Sequence, residues 1–301
     1  MAAGAMSLCA VLAVATGAQT AQAAHSDYAF DLPGATSAEG IASGPGSTFY
    51  AGDAFSGDIF RGDIRTRTAE KFIDNPPGRN ALGLRVDVAD GLLFVAGGFD
   101  GRGFVYDTTT GATVASYQFS SDPSVINDVA LTPTGAWFTN SLQPVLYFVP
   151  IVGGQPGAFR TLSLSGPAAE VTPGFNNNGI QATADGSTLV VAHTNQGALN
   201  LVDPITGGSR TIEGVAVPNV DGILMQGRSL FAVQNFNNQI AEVRLSADLT
   251  SGTITKVVTS DLFEVPTTVA RFGDRLAAVN AKFDTGFPPT ATSYEVVVVD
   301  R

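Results

Sequence analysis

Four side chains with hard oxygen atoms recur along the chain at related positions: Glu39, Asn127, Asn178 and Asp221. Each stands at the start of a short apolar segment. Two carboxylates and two amide oxygens suit Ca²⁺, which takes six or more oxygen ligands and completes its shell with water. The two carboxylates would also neutralise the charge of the ion. We therefore predict a Ca²⁺ site at these four residues, and Mg²⁺ or Mn²⁺ would accept the same kind of ligand.

A cation at this site would act as a Lewis acid on a carbonyl or phosphoryl oxygen of a substrate. Asp221 is then the candidate catalytic residue, as a nucleophile or as a general base on water. His193 follows the apolar run 189–192, and we hypothesise that it faces the same pocket as a proton carrier. The alternative for His193 is a hydrogen-bonded histidine in a turn.

The elements that would position these residues form six repeats. The four positions, with Leu82 and Thr267 at the equivalent places in two further units, are 43 to 51 residues apart. Each unit has a Pro-containing loop, an apolar strand, a turn, a second apolar strand, a polar tip and a third strand. This period predicts an all-β, six-bladed β-propeller. A β-sandwich is the rival architecture, but it has no internal period of this kind.

The motifs around the four positions resemble those of the regucalcin, gluconolactonase and luciferin-regenerating-enzyme family, most closely its secreted bacterial members. They read Ala38-Glu39-Gly40-Ile41, Asn127-Asp128-Val129, Asn178-Gly179-Ile180 and Val220-Asp221-Gly222-Ile223. The resemblance covers residues 30 to 300 and extends to diisopropyl fluorophosphatase and the paraoxonases. It implies a six-bladed propeller with a central cation, usually Ca²⁺, held by these same Glu, Asn, Asn and Asp residues. The sequence departs from the gluconolactonases at Val125, where they carry an arginine, so sugar-acid lactones are not implied.

Loops between second and third strands should open on the face that carries the ring of oxygen ligands. Polar or aromatic residues at their tips are candidates for substrate binding, together with Asn127: Asn140, Asn235, Phe236 and Asn280. Phe99 and Phe283, with Phe236, are candidates for apolar walls of the pocket. The alternative for these three rings is ordinary packing between blades.

Composition narrows the classes of partner. The chain has 16 Lys and Arg residues against 27 Asp and Glu residues, a formal net charge of −11, and no cluster of basic residues. It would repel a polyanion, so we expect no nucleic-acid partner. The only cysteine is Cys9 and there are two histidines, which argues against disulfides and against thiolate or zinc sites.

The first 24 residues carry no charge and contain an apolar stretch, 8–15, followed by Ala21-Gln22-Ala23. This pattern predicts a signal peptide over 1–24 and a secreted propeller domain over 25–301. The apolar stretch is too short to span a bilayer, so we expect no membrane insertion. We expect a monomer that acts on a small-molecule substrate.

Two functions remain open from the sequence. The first is a Ca²⁺-dependent hydrolase of lactones, esters or phosphotriesters. The second is a non-catalytic propeller that binds a ligand or a protein, with the cation bracing its axis. The fold does not choose between them, because propellers serve both roles.

Overall fold

The computed structural model describes Met1 and residues 26–301. The predicted signal peptide and Cys9 lie outside the described residues, apart from Met1. Among those that are described, no helix is long and apolar enough to cross a membrane. Residues 26–301 include three short 3₁₀ helices, at Pro167–Ala169, Asn235–Asn237 and Phe283–Thr285.

The described chain forms 25 strands in six antiparallel sheets. The first strand is β1 (Tyr28–Asp31). Blade one comprises β2 (Ala38–Ser43), β3 (Thr48–Asp53), β4 (Ile59–Asp63) and β5 (Thr68–Ile73), and blade two comprises β6 (Leu84–Asp87), β7 (Leu92–Ala96), β8 (Arg102–Asp107) and β9 (Thr113–Gln118). Blade three comprises β10 (Ile126–Thr132), β11 (Gly135–Asn140), β12 (Val145–Val152), β13 (Gln155–Pro156) and β14 (Arg160–Ser163).

Blade four comprises β15 (Asn177–Ala182), β16 (Leu189–His193), β17 (Ala198–Val202) and β18 (Ser209–Thr211), and blade five comprises β19 (Val220–Gln226), β20 (Ser229–Gln234), β21 (Gln239–Leu245) and β22 (Gly252–Thr259). Blade six comprises β23 (Pro266–Phe272), β24 (Arg275–Asn280) and β25 (Glu295–Asp300), and β1 pairs with β25 as its outermost strand. The first strands of the six blades contact one another in order around a central axis. The predicted six-bladed propeller is confirmed, and an N-terminal strand fastens the ring.

Blades one to five each have at least one further, outer strand that the three-strand repeat pattern missed. The outer strands β9 and β22 are mostly exposed or half-buried. They lie at the rim of the propeller, where no neighbouring blade covers them, and they therefore lack the apolar run that marks an inner strand. The second strands are the opposite case: β7 and β16 are buried along their whole length between adjacent blades.

The start of the first strand is irregular in five of the six blades. The pairing register of β2 with β3 shifts between Ala38 and Gly40, and that of β19 with β20 shifts between Val220 and Ile223. The shifts in blades three, four and six fall at the same place in the repeat. A β-bulge locally redirects side chains. All four predicted metal ligands lie in these bulges.

The first strands approach one another so closely that two glycines beside the predicted ligands leave no room for a side chain. A β-carbon on Gly40 would lie 2.2 Å from the carbonyl oxygen of Leu82 in the next blade. A β-carbon on Gly179 would lie 2.6 Å from the carbonyl oxygen of Asp221. Both obstacles are backbone atoms, which move only if the blades separate.

We expect Gly179→Ala to destabilise the protein by about 1–3 kcal/mol, the usual cost of overpacking a rigid site. Gly208→Ala is the control, because a β-carbon there meets only a side-chain hydroxyl at 3.3 Å. Denaturant unfolding of both variants checks this. Equal stability of the two variants would contradict the close approach of the blades.

Candidate metal centre and adjoining cavity

The four predicted ligands line a single cavity of about 210 Å³. Four different blades supply them, each from the bulged start of its first strand. Leu82 lines the same cavity from blade two. The remaining lining residues are Ala54, Phe55, Phe99, Phe175, Thr194, Asn219, Asn235, Phe236, Phe283 and Phe287.

Glu39 carries a buried carboxylate oxygen with no hydrogen-bond partner. The residue is 5% exposed, and its Oε2 atom accepts no hydrogen bond within the part of the chain that the structure describes. Burial raises the pKa of Glu39 well above its usual value, and the charges of Asp221 and Asp128 raise it further. A buried, unpaired carboxylate is costly, and it is stabilised only by a proton or a cation.

Asp221 is the second buried carboxylate. Its Oδ2 atom accepts a hydrogen bond of 2.8 Å from Nδ2 of Asn235. Burial raises the pKa of Asp221 to about 7, against the opposing effect of hydrogen bonds from Asn235 and Asn178. Both carboxylates of the cavity are therefore poorly compensated by the protein itself.

The donor set fits a hard divalent cation. No Lys, Arg or His is among the residues that line the cavity, so no side chain there supplies positive charge. The described residues contain no group of three or more His, Cys, Asp and Glu side chains that could hold a metal ion. A metal in this cavity would rely on the amides of Asn127 and Asn178, which favours oxygen-seeking Ca²⁺ over zinc.

Asp128 lies beside the cavity and joins two blades. Its Oδ1 atom accepts a hydrogen bond of 2.8 Å from the amide of Val129, and Oδ2 accepts one of 3.0 Å from the amide of Ile180 in blade four. Burial raises the pKa of Asp128, and the charge of Arg85 partly opposes this effect. Asp128 thus holds the backbone two residues beyond Asn127 and two residues beyond Asn178.

Three residues predicted to face the pocket do not line it: His193, Asn140 and Asn280. The amide of Gln196 donates to Nδ1 of His193 at 3.3 Å, so the proton on Nε2 is the one that bonds the carbonyl oxygen of Glu170 at 2.9 Å. The structure therefore places His193 at the end of β16 as a buried, hydrogen-bonded histidine, which corrects the hypothesis that its ring faces the pocket.

The side chains of Asn140 and Asn280 also form hydrogen bonds with the backbone. Oδ1 of Asn140 accepts hydrogen bonds from the amides of Val125 and Leu142, and Oδ1 of Asn280 accepts one from the amide of Glu264. Each ends the second strand of its blade, where the loop entering the first strand passes beside it. The side chain fastens this loop and does not reach the cavity, which corrects the substrate-binding prediction for both residues.

Asn235 and Phe236 line the cavity as predicted, and so do Phe99 and Phe283. Sequence reasoning missed Phe55, Phe175 and Phe287, as well as Thr194 and Asn219. A signal for Phe55 was present, because it stands two residues beyond the end of β3, as Phe236 does beyond β20. Phe287 belongs to the loop 281–294 of blade six, which is much longer than the equivalent loops of the other blades, such as 54–58 and 235–238.

Comparison with known proteins supports the fold alone. No family model and no curated protein matches this chain. Among solved structures it is similar to the major allergen Mala s 1 of Malassezia sympodialis, with 16% identity, a TM-score of 0.62 and coverage of 84% of this chain and 90% of that one. A protein from Lactobacillus plantarum has 19% identity, a TM-score of 0.59 and coverage of 81% and 77%. Virginiamycin B lyase from Staphylococcus aureus has 11% identity, a TM-score of 0.59 and coverage of 91% and 99%.

We expect the metal-free protein to lose stability as the pH rises from about 4 to 7. Because the pKa of Asp221 rises from 3.8 to about 7 on folding, the folded state holds a proton that the unfolded chain releases. Each unit of raised pKa corresponds to about 1.4 kcal/mol, so the loss should reach a few kcal/mol. Thermal unfolding with a chelator between pH 4.5 and 7.5 measures it.

Asp221→Asn should make this pH dependence shallower, because the amide does not titrate and its oxygen can still accept from Asn235. Glu39 and Asp128, whose pKa values burial also raises, keep part of the slope. Asp122→Asn, at an exposed position outside the cavity, is the control and should keep the wild-type slope. If the stability of the wild type and that of Asp221→Asn changed with pH in parallel, Asp221 would not be the titrating group.

Proposed function

We propose that this protein is a divalent-cation-dependent hydrolase of lactones, esters or phosphotriesters, with Ca²⁺ held by Glu39, Asn127, Asn178 and Asp221. The observation that carries the proposal is the buried Oε2 atom of Glu39, which has no hydrogen-bond partner among the described residues. It lies in a cavity whose described lining includes a second buried carboxylate and no basic side chain. A cation satisfies both carboxylates at once, and the two amides supply further oxygen ligands.

When bound, a divalent cation supplies Lewis-acid polarisation of a carbonyl or phosphoryl oxygen. Asp221 is the candidate catalytic residue, either as a base that takes a proton from the attacking water or as the nucleophile. Asn235 is a positioning residue, because its amide fixes one carboxylate oxygen of Asp221. Hydrolysis of an ester then consumes one water and gives a carboxylic acid and an alcohol, whereas hydrolysis of a lactone consumes one water and gives a single hydroxy acid.

A second candidate function is binding without catalysis. Phe236 and Phe287 are 57% and 54% exposed at the cavity, and exposed apolar side chains of this size often mark binding surfaces. The similar solved structures include a protein named as an allergen and one named as a lyase, so the shared fold favours neither function.

We expect Ca²⁺ to raise the melting temperature of chelator-treated protein and to restore hydrolysis of a panel of lactones, aryl esters and phosphotriesters. Asp221→Asn should lower turnover by roughly 100-fold or more, the usual effect of losing a general base. The matched control is Asp122→Asn, which should keep full activity. Calorimetry with Ca²⁺ separates loss of turnover from loss of metal binding.

Glu39→Gln tests the metal site itself, and we expect it to weaken Ca²⁺ binding because it removes one of two carboxylates. Unchanged Ca²⁺ affinity in this variant would remove Glu39 from the ligand set. A Ca²⁺-dependent melting temperature with no activity on the panel would favour the binding function over the hydrolase.

A further inference from the structure

Five phenylalanines form an aromatic collar around the cavity: Phe55, Phe99, Phe175, Phe283 and Phe287. Phe287 is its centre, since its ring centroid lies 5.3 Å from that of Phe55, 5.8 Å from Phe99, 6.1 Å from Phe175 and 5.4 Å from Phe283. Phe55 and Phe99 are stacked, with their planes 17° apart, and Phe287 meets both edge-on. The collar is therefore a connected aromatic surface.

The loop between β24 and β25 presents Phe287 and is fastened at several points. Near its start, Nζ of Lys282 lies 2.7 Å from Oε2 of Glu264 and 3.0 Å from Oε2 of Glu295. Around Phe287, the amide of Thr290 donates to Oγ1 of Thr285, and the hydroxyl of Thr290 donates to the carbonyl oxygen of Thr285. These contacts hold the segment that carries Phe287.

Phe287 remains 54% exposed although the loop is well fastened. Its ring thus presents apolar surface to the cavity, and a bound apolar group that covers this surface gains the free energy of its burial. Ile205 is also exposed, but it is not among the described residues that line this cavity.

The charge of the lining restricts what can bind beside the collar. Glu39 and Asp221 are the only ionisable side chains among the lining residues, and no basic group balances them. An anionic molecule would lose its hydration on entering an apolar collar, and it would find no basic side chain among the lining residues to replace that hydration. An uncharged molecule meets neither obstacle.

We propose that Phe287 is a specificity-determining residue that selects uncharged molecules with a flat apolar group. The flat group packs against Phe287 and the stacked pair Phe55 and Phe99, and the polar part points toward Glu39 and Asp221. The inference rests on the proposed function only in taking this cavity as the working site. The proposed role of Phe287 is in ligand binding, which can be measured in the absence of any catalytic turnover.

The test uses 2-phenylacetamide, its anionic analogue phenylacetate, and acetamide, which lacks the ring, titrated by ligand-observed NMR into chelator-treated protein. We expect 2-phenylacetamide to bind at least about tenfold more tightly than either analogue. Phe287→Ala should weaken its binding by roughly threefold to tenfold, the effect of losing one aromatic contact. The control Ile205→Ala should bind as the wild type does.

A second variant, Lys282→Met, removes the ion pairs that hold the loop but keeps the Phe287 ring. It should also weaken the binding of 2-phenylacetamide. Phe287→Leu keeps an apolar side chain at this position, so it should bind 2-phenylacetamide more tightly than Phe287→Ala does and less tightly than the wild type does. Equal affinity in Phe287→Ala and wild type, or tighter binding of phenylacetate, would overturn the inference. Binding that follows this pattern in a protein with no hydrolytic activity would overturn the hydrolase and leave the role of Phe287 standing.

Discussion

Close packing of the six first strands around the axis is the constraint on which the rest of the structure depends. Hydroxyl groups fasten these strands across blade boundaries: Oγ1 of Thr139 donates to the carbonyl oxygen of Asn178 at 2.8 Å, and Oγ1 of Thr194 donates to that of Val220 at 2.7 Å. Thr267 donates in the same way to the carbonyl oxygen of Glu39. The backbone is thus fixed at or beside the residues that converge on the cavity.

This packing also explains why the cavity carries unbalanced charge. Bulges at the start of the first strands turn Glu39 and Asp221 into a space that neighbouring blades shield from water. Shielding removes hydration from the carboxylates and leaves them dependent on a proton or a cation. Burial raises the pKa of Asp221 to about 7, and the same burial favours a bound cation, because either a proton or a cation offsets the negative charge.

Closure of the ring connects this polar end of the cavity to its aromatic collar. Strand β1 completes blade six by pairing with β25, and the loop just before β25 carries Phe287. Glu295, the first residue of β25, forms an ion pair with Lys282 of that loop. The same blade that closes the propeller therefore sets the position of the ring that contacts Phe55 and Phe99 from blades one and two.

The sequence by itself determined the six repeats and the places of Glu39, Asn127, Asn178 and Asp221 within them. It could do so because a repeated fold returns equivalent residues to equivalent places around one axis. Only the tertiary structure decided that His193 bonds the backbone near its own blade and that Phe287 faces the cavity. The hydrogen-bond partners of a side chain at a strand end depend on which loop passes beside it. The loop 281–294 is much longer than the equivalent loops of the other blades, so the repeat pattern does not place its residues. The exposed outer strands escaped prediction for a related reason, since no second blade requires their side chains to alternate in polarity.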